Sequence, residues 1–154
     1  IVVCSTAPQI RYPDCYGIDM SERGKFIAFQ AAVALLKRSG RQSVLDQVYE
    51  DCKQELKKPV DEMKNCVKGI YAPFSPEEIS EEISRMVTPE ENDWQGEVQV
   101  IFQTIENLHK SIEGPCGDWY FTGDYPTAGG YATVNAAFIR WHEGLAGRSY
   151  DLPL

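Results

Sequence analysis

The chain has 154 residues, with 15 Lys+Arg against 23 Asp+Glu, which gives a formal net charge of −8. A negative surface repels phosphate backbones and anionic lipids, so the composition argues against nucleic acid and membrane surfaces as partners. The longest apolar stretch, residues 31–36, is far shorter than the roughly 20 residues of a membrane span. With 43% hydrophobic and 25% charged residues, the composition is typical of one globular domain.

The first residues predict a strand. Residues 1–4 form a short β-branched run, which is typical of a parallel strand buried on both faces. One other strand is predicted, at residues 118–122, and a strand cannot satisfy its backbone groups alone. The sequence also begins at Ile1 instead of Met. We therefore expect a piece of a longer polypeptide, with most of the sheet encoded before Ile1.

The rest of the chain is predicted to be mainly helical. Hydrophobic spacing of three and four residues predicts helices over residues 21–39, 42–57, 59–67, 75–86, 98–112 and 131–145. The clearest signal is Ser75-Pro76-Glu77-Glu78, where Ser75 caps a helix and Glu78 closes a capping box. The acidic residues 88–96 are predicted to be the most mobile stretch.

The cysteines predict reduced thiols. Their number is odd and no C-x-x-C pair occurs, which favours a cytoplasmic protein over a disulfide framework or a zinc ribbon. Cys4 and Cys52 are predicted to be buried, and Cys66 to lie beside an apolar helix face. Cys15 stands in an aromatic loop without a neighbouring base to activate it. The fifth is Cys116.

Other candidate groups predict no complete active site. His109 and His142 fall near helix edges, without a catalytic partner at a motif spacing. The acidic pairs are predicted to be solvated helix surface, namely Glu77-Glu78, Glu81-Glu82 and Glu90-Glu91. Gly123 and Gly129-Gly130 precede a helix and weakly suggest an anion site, although the Gly-Lys-Ser/Thr of a P-loop is missing.

Two segments resemble a known family. Residues 7–20, A-P-Q-I-R-Y-P-D-C-Y-G-I-D-M, resemble the strand-end loop of amidophosphoribosyltransferases (glutamine phosphoribosylpyrophosphate amidotransferases). Residues 121–127, F-T-G-D-Y-P-T, resemble the F-T-G-x-Y-P-T block near the C-terminus of the same enzymes. The resemblance covers about a third of the chain, and the stretch at about 41–117 is interpreted as a helical insertion.

The resemblance implies a function for a larger protein. In that family a glutaminase domain releases ammonia from glutamine, and a type I phosphoribosyltransferase domain adds it to phosphoribosyl pyrophosphate. This glycosyltransferase reaction gives 5-phosphoribosylamine in de novo purine biosynthesis. The Asp-Asp and Gly-Thr-Thr fingerprint of the transferase is absent here. Residues 1–154 would then be the C-terminal part of an α/β transferase domain, inactive by itself.

Partners and cofactors follow from the same resemblance. We expect the chain to pack against the upstream glutaminase and phosphoribosyltransferase segments of its own polypeptide, in a cytoplasmic homo-oligomer that binds neither nucleic acid nor membrane. Magnesium is expected for the full enzyme. Some members ligate an iron–sulfur cluster at positions that are Asp14, Gly117 and Tyr120 here, with Cys15 and Cys116 each displaced by one residue. We therefore expect no cluster, and no cofactor within this chain.

Four loop residues are candidates for the neighbourhood of the substrate: Arg11, Tyr12, Tyr16 and Asp19. They would shape the floor of the phosphoribosyl site or the path of ammonia toward it. The alternative is that they only lock the loop onto the next helix, with Asp19 as its N-terminal cap. Two other functions stay open: a free-standing helical interaction module, and a small enzyme that uses Cys15 or His142.

Overall fold

The computed structural model describes residues 1–14, 23–89, 96–114 and 117–145. Within these ranges the chain is mostly helical, as predicted, with two 3₁₀ turns at Arg23–Lys25 and Val60–Glu62. The strands and α-helices are β1 (Val2–Ser5), α1 (Ile27–Arg38), α2 (Ser43–Glu55), α3 (Lys68–Tyr71), α4 (Pro76–Val87), β2 (Gln99–Phe102), α5 (Ile105–Ser111), α6 (Trp119–Thr122) and α7 (Ala128–His142). The longest helix has 15 residues, and none in these ranges is long and apolar enough to cross a membrane.

The hydrophobic core lies between α1 and the other long helices. Phe29, Val33 and Leu36 are buried on α1 at the spacing that predicts this face. Phe29 packs edge-on against Phe138 and Trp141 of α7, with ring centroids 6.2 and 4.6 Å apart. Aromatic edge-to-face pairs add to the gain from burying their area, so this contact joins the first and last long helices.

A buried asparagine links α7 to two other parts of the chain. Asn135 is fully buried, and its Oδ1 accepts hydrogen bonds from the Cys66 backbone N–H at 3.2 Å and from Cys52 Sγ at 3.4 Å. Its Nδ2 donates to the carbonyl of Lys64 at 2.8 Å. The predicted burial of Cys52 is confirmed, and this burial raises the pKa of its thiol. Cys52 therefore behaves as a small apolar residue with a satisfied thiol.

The sheet has two parallel strands, paired in register from Val2 with Gln99 to Ser5 with Phe102. The predicted parallel pairing of the first strand is confirmed, but its predicted burial is wrong. Val2 is 60% and Val3 48% exposed, and Cys4 is exposed too. The reason is that α4 packs on β2, where Val100 and Phe102 contact the core, whereas the main contacts of β1 among the described elements are with β2 alone, so both faces of β1 stay exposed.

Two other strand and helix predictions are wrong. Residues 118–122 form α6 instead of a strand, and residues 98–112 split into β2 and α5 instead of one helix. Short apolar runs fit both periodicities, so pairing with β1 decides in favour of a strand at residues 99–102. Thr104 then begins α5, because its side chain accepts a hydrogen bond from the Asn107 backbone N–H at 3.0 Å.

Three helix boundaries also differ from prediction. The predicted helix 59–67 is broken, since Met63 is extended and the Asn65 side chain accepts the Val67 backbone N–H. Described residues before α1 form a 3₁₀ turn and an extended Phe26, so that helix begins at Ile27. Helix α7 begins three residues before the predicted start, and Gly130 lies inside it under the ring of Tyr125. The predicted mobile stretch falls largely outside the described residues.

The predicted capping box is confirmed at the start of α4. Ser75 Oγ accepts the Glu78 backbone N–H at 3.1 Å, and the Glu78 carboxylate accepts the Ser75 backbone N–H at 2.7 Å. Ile79 and Ile83 of the same helix are buried as their spacing predicts. These local signals need no partner from elsewhere in the chain, which explains why they could be found in the sequence.

Glu82 corrects the prediction that the acidic pairs are solvated surface. Its side chain is buried, and it forms ion pairs of 2.7 Å with Arg38 of α1 and with Arg85 of α4. The hydrogen bonds from Arg85 and then Arg38 outweigh the effect of burial and lower the pKa of the carboxyl group. Glu82 therefore ties α4 to α1 as a carboxylate.

We predict that Glu82→Gln lowers the free energy of unfolding at pH 7 by about 1.5–3 kcal/mol, the usual value of hydrogen bonds to a charged group. A carboxylate with a lowered folded-state pKa stabilises the fold above its unfolded-state pKa, and this stabilisation is lost as the pH falls through the lower folded-state value. The difference between wild type and variant should therefore shrink in urea denaturation between pH 7 and pH 3. The exposed neighbour Glu81 gives the control, Glu81→Gln. Equal pH dependence in both variants would contradict the assignment.

Candidate functional site

The site is built around the loop that follows β1, residues 7–14, here called the β1 loop. Its backbone is held from three sides. The N–H groups of Arg11 and Tyr12 both donate to the Tyr120 carbonyl, at 2.8 and 3.0 Å. The Tyr71 hydroxyl donates to the Arg11 carbonyl at 2.8 Å, and the Tyr125 hydroxyl donates to the Pro13 carbonyl at 2.6 Å. The loop is therefore fixed by contacts with α3, α6 and the residues after α6.

The two segments that carry the family resemblance meet here. Gly123 follows α6 with φ +73°, in the left-handed region that favours glycine. A Cβ atom on Gly123 would lie 2.8 Å from the Tyr12 ring and 2.5 Å from Asn65 Nδ2. The Asn65 amide donates to the Gly123 carbonyl at 3.0 Å. Both the backbone conformation and the lack of space therefore require glycine where the β1 loop passes.

Tyr12 lies in the core. It is 3% exposed and meets the Tyr71 ring edge-on, with centroids 5.5 Å apart. Burial raises the pKa of the Tyr12 hydroxyl to about 12, although the charges of Arg11 and Arg23 partly oppose this. The hydroxyl thus stays protonated, and the Tyr12 ring anchors the β1 loop in the core.

A groove of about 940 Å³ runs along β2 between that strand and α4. At one end it includes Pro8, Gln9 and Arg11, which come after the carboxyl end of β1. Its α4 side carries hydroxyl and acidic side chains together with one arginine: Glu77, Ser80, Glu81, Ser84, Arg85 and Thr88. In open sheets of parallel strands, ligands bind beyond the carboxyl ends of the strands, so the Arg11 end is the candidate binding position.

Arg11 is held there without a carboxylate partner among the described residues. Its Nε and Nη2 donate to Gln9 Oε1 at 3.2 and 2.7 Å, and its guanidinium lies over the Tyr71 ring, 5.2 Å from the centroid. Gln9 is itself fixed, because its Nε2 donates to the Pro76 carbonyl and to Ser80 Oγ at 2.7 Å each. A positive charge with neutral partners is available to an anionic group in the groove.

The predicted substrate residues are thus placed only in part. Arg11 lines the groove and Tyr12 lies behind it, while Tyr16 and Asp19, like Cys15 and Cys116, fall outside the described residues. The resemblance did not single out Gln9, Tyr71 or Tyr125. Gln9 and Tyr125 belong to the matched segments, but Tyr71 lies in the stretch interpreted as an insertion, and no sequence signal marks it.

Both histidines have carboxylate partners that sequence spacing could not reveal. His142 Nε2 lies 3.2 Å from Asp46 Oδ1, and its ring stacks on Tyr49 with centroids 4.3 Å apart. His109 Nε2 lies 2.7 Å from Asp118 Oδ2. These pairs join α2 to α7, and α5 to the start of α6. In the part of the chain that the structure describes, no three His, Cys, Asp or Glu side chains converge to hold a metal ion.

We predict that Gly123→Ala destabilises the fold more than Gly40→Ala. Gly40 has the same kind of backbone, with φ +70°, but open space around the position of a Cβ atom. Gly40→Ala should cost about 1 kcal/mol through backbone strain alone, and Gly123→Ala at least about 1 kcal/mol more through contact with Tyr12 and Asn65. Chemical denaturation of both variants measures the difference. Equal losses would mean that the β1 loop does not press against Gly123.

No protein-family model, no curated protein and no solved structure matches the chain significantly.

Proposed function

We propose that the chain is the C-terminal part of the phosphoribosyltransferase domain of an amidophosphoribosyltransferase. One observation carries the proposal: the segments at residues 7–20 and 121–127, which resemble that family, meet in the fold through their described residues. The Tyr125 hydroxyl donates to the Pro13 carbonyl across 112 positions of sequence. The meeting of the two matched segments is what the resemblance predicts for parts of one inherited site.

The sheet supports the same proposal. Parallel sheets normally have both faces covered and more than two strands. Here Val2, Val3 and Ile101 expose apolar surface on a two-stranded parallel sheet. Further parallel strands from an upstream transferase segment would pair with the outer edge of β1, and the helices that connect such strands would cover these side chains. This is the arrangement expected of a type I phosphoribosyltransferase fold, and of residues 1–154 as a fragment that carries a helical insertion at about 41–117.

The proposal divides the chemistry between parts of one polypeptide. Upstream segments supply the glutaminase and the carboxylates that hold the ribose, and we assign the magnesium of the full enzyme to them. This chain supplies the β1 loop with Arg11, whose guanidinium is held in place by Gln9 at the end of the groove. The protein would act in the cytoplasm as a homo-oligomer, and residues 1–154 alone would not be catalytic.

We expect the product of the complete gene to release pyrophosphate from phosphoribosyl pyrophosphate when glutamine or ammonia is supplied. Ammonia attacks C1 of the ribose and pyrophosphate leaves, which gives 5-phosphoribosylamine. A coupled pyrophosphate assay measures the reaction, and residues 1–154 alone serve as the inactive control. A complete gene product that is inactive with both nitrogen donors would refute the proposal.

We expect Arg11→Met in that protein to lower kcat/KM for phosphoribosyl pyrophosphate about tenfold or more, because a charged donor near an anionic substrate is lost. Arg41 offers the matched control, since its guanidinium also lies over an aromatic ring, 4.7 Å from the centroid of Phe74. Arg41→Met should leave kcat/KM unchanged, and thermal denaturation checks that both variants fold. Equal effects of the two substitutions would exclude Arg11 from the substrate site.

A further inference from the structure

Gln9 is a buried side chain whose hydrogen-bonding groups are all engaged. It lies two residues before Arg11 on the β1 loop and is 4% exposed. Its Oε1 accepts hydrogen bonds from Nε and Nη2 of Arg11, at 3.2 and 2.7 Å. Its Nε2 donates to the Pro76 carbonyl and to Ser80 Oγ, at 2.7 Å each. A side-chain amide has two donor N–H groups and two acceptor lone pairs, so all four are used here.

The neighbours of Gln9 determine which side chain fits at this position. A guanidinium can only donate hydrogen bonds, and a backbone carbonyl can only accept them. The group between Arg11 and the Pro76 carbonyl must therefore accept on one side and donate on the other. A glutamate of the same length would accept from Arg11, but its carboxylate has no proton to donate to the Pro76 carbonyl. A methionine would leave polar groups on both sides without this partner.

The neutral amide orients Arg11 without compensating its charge. Gln9 engages Nε–H and one N–H of Nη2, which leaves three N–H groups without a hydrogen-bond partner in the described ranges. One face of the guanidinium lies over the Tyr71 ring. Arg38 is different, because its guanidinium forms an ion pair with the carboxylate of Glu82. Charge-assisted hydrogen bonds to an oxyanion are the strong ones, and Arg11 keeps both the charge and the donors for them.

We propose that Gln9 is the positioning residue of the α4–β2 groove and determines its specificity for an anionic group. It acts through Arg11, whose guanidinium it joins to α4 by way of Pro76 and Ser80. The ligand group is an oxyanion with two acceptor oxygens on one atom, as in a phosphate or pyrophosphate, because a guanidinium binds such groups through two parallel hydrogen bonds. The inference rests on the proposed function, since it concerns how the same site holds phosphoribosyl pyrophosphate.

The first test is a double-mutant cycle in the complete gene product, with kcat/KM for phosphoribosyl pyrophosphate as the measurement. Gln9→Met should lower kcat/KM about fivefold or more, through KM instead of kcat, because binding is weakened and chemistry is not. In the Arg11→Met background the same substitution should have no further effect, since Gln9 acts through Arg11. Gln9→Glu should cause a larger loss than Gln9→Met, because its carboxylate compensates the guanidinium and repels the phosphate.

The second test does not depend on activity. In the 154-residue chain, nitrogen-15 NMR follows the exchange of arginine Nε–H protons with water. The Arg11 proton should exchange slowly because it bonds to a buried amide, and Gln9→Met should speed its exchange. Arg41 is the control, since its Nε donates to Ser39 Oγ at 2.9 Å on the exposed surface, and its exchange should not change. Ser80→Ala removes one acceptor of the Gln9 amide and should speed the Arg11 exchange to a smaller extent, which serves where Gln9→Met does not fold.

Other results would overturn the proposal. Additive losses in the cycle, or exchange of the Arg11 proton that neither Gln9→Met nor Ser80→Ala alters, would exclude Gln9 as the residue that positions Arg11. Equal losses in Gln9→Glu and Gln9→Met would mean that the neutrality of Gln9 does not determine specificity. A complete gene product without activity would refute the proposed function, and the NMR exchange would then decide by itself whether Gln9 positions Arg11.

Discussion

The fold depends on the clamp that joins the β1 loop to the residues around Gly123. Two backbone hydrogen bonds to the Tyr120 carbonyl and one from the Tyr125 hydroxyl hold residues 11–13. They join the start of the chain to its last third. The Tyr71 hydroxyl of α3 donates a further hydrogen bond to the same loop, at the Arg11 carbonyl. Closing so long a loop costs conformational entropy, so the contacts must be well formed. They are directional, the bond from Tyr125 is buried, and beside them the Tyr12 ring and Asn65 leave room only for glycine at position 123.

This clamp also determines where charge is available. Because Tyr71 and Tyr12 pack edge-on beneath the loop, Arg11 is directed to the end of the groove. Glu82 differs from Arg11, because its buried carboxylate has two charged partners and holds α1 against α4. Arg11 is held by a neutral amide instead, so its charge stays available to an anionic group.

The parts of the fold that could be predicted are those with a local cause. Helices α1, α2, α4 and α7 have long apolar faces, and α4 also has its capping box, so their sequences determine them. Strand β2 and helix α6 are short apolar runs for which the choice of conformation comes from distant partners: β1 for the one, the β1 loop for the other. In the site, the position of Arg11 near the substrate is predicted only through the family resemblance. The ion pair of Glu82 with Arg38 could not be predicted, because it depends on which side chains the tertiary fold places around Glu82.

The two edges of the sheet differ in how their backbone groups are paired. The carbonyls of Ile1 and Ser5 accept hydrogen bonds from the N–H groups of Gln99 and Gln103. Backbone groups alternate in direction along a parallel strand, so those of Val2 and Cys4 point away from β2. On the other side, the edge of β2 is protected. Ser84 of α4 accepts the Val100 N–H at 2.9 Å, and Thr88, just after α4, accepts the N–H of Val98, just before β2, at 3.3 Å. One edge is thus capped by side chains, whereas the outer edge of β1 has exposed valines and no backbone pairing within the described residues. Proteins normally protect such an edge, because it pairs readily with another strand. The asymmetry therefore favours growth of the sheet from β1 outward, which is the direction in which the proposed transferase would continue it.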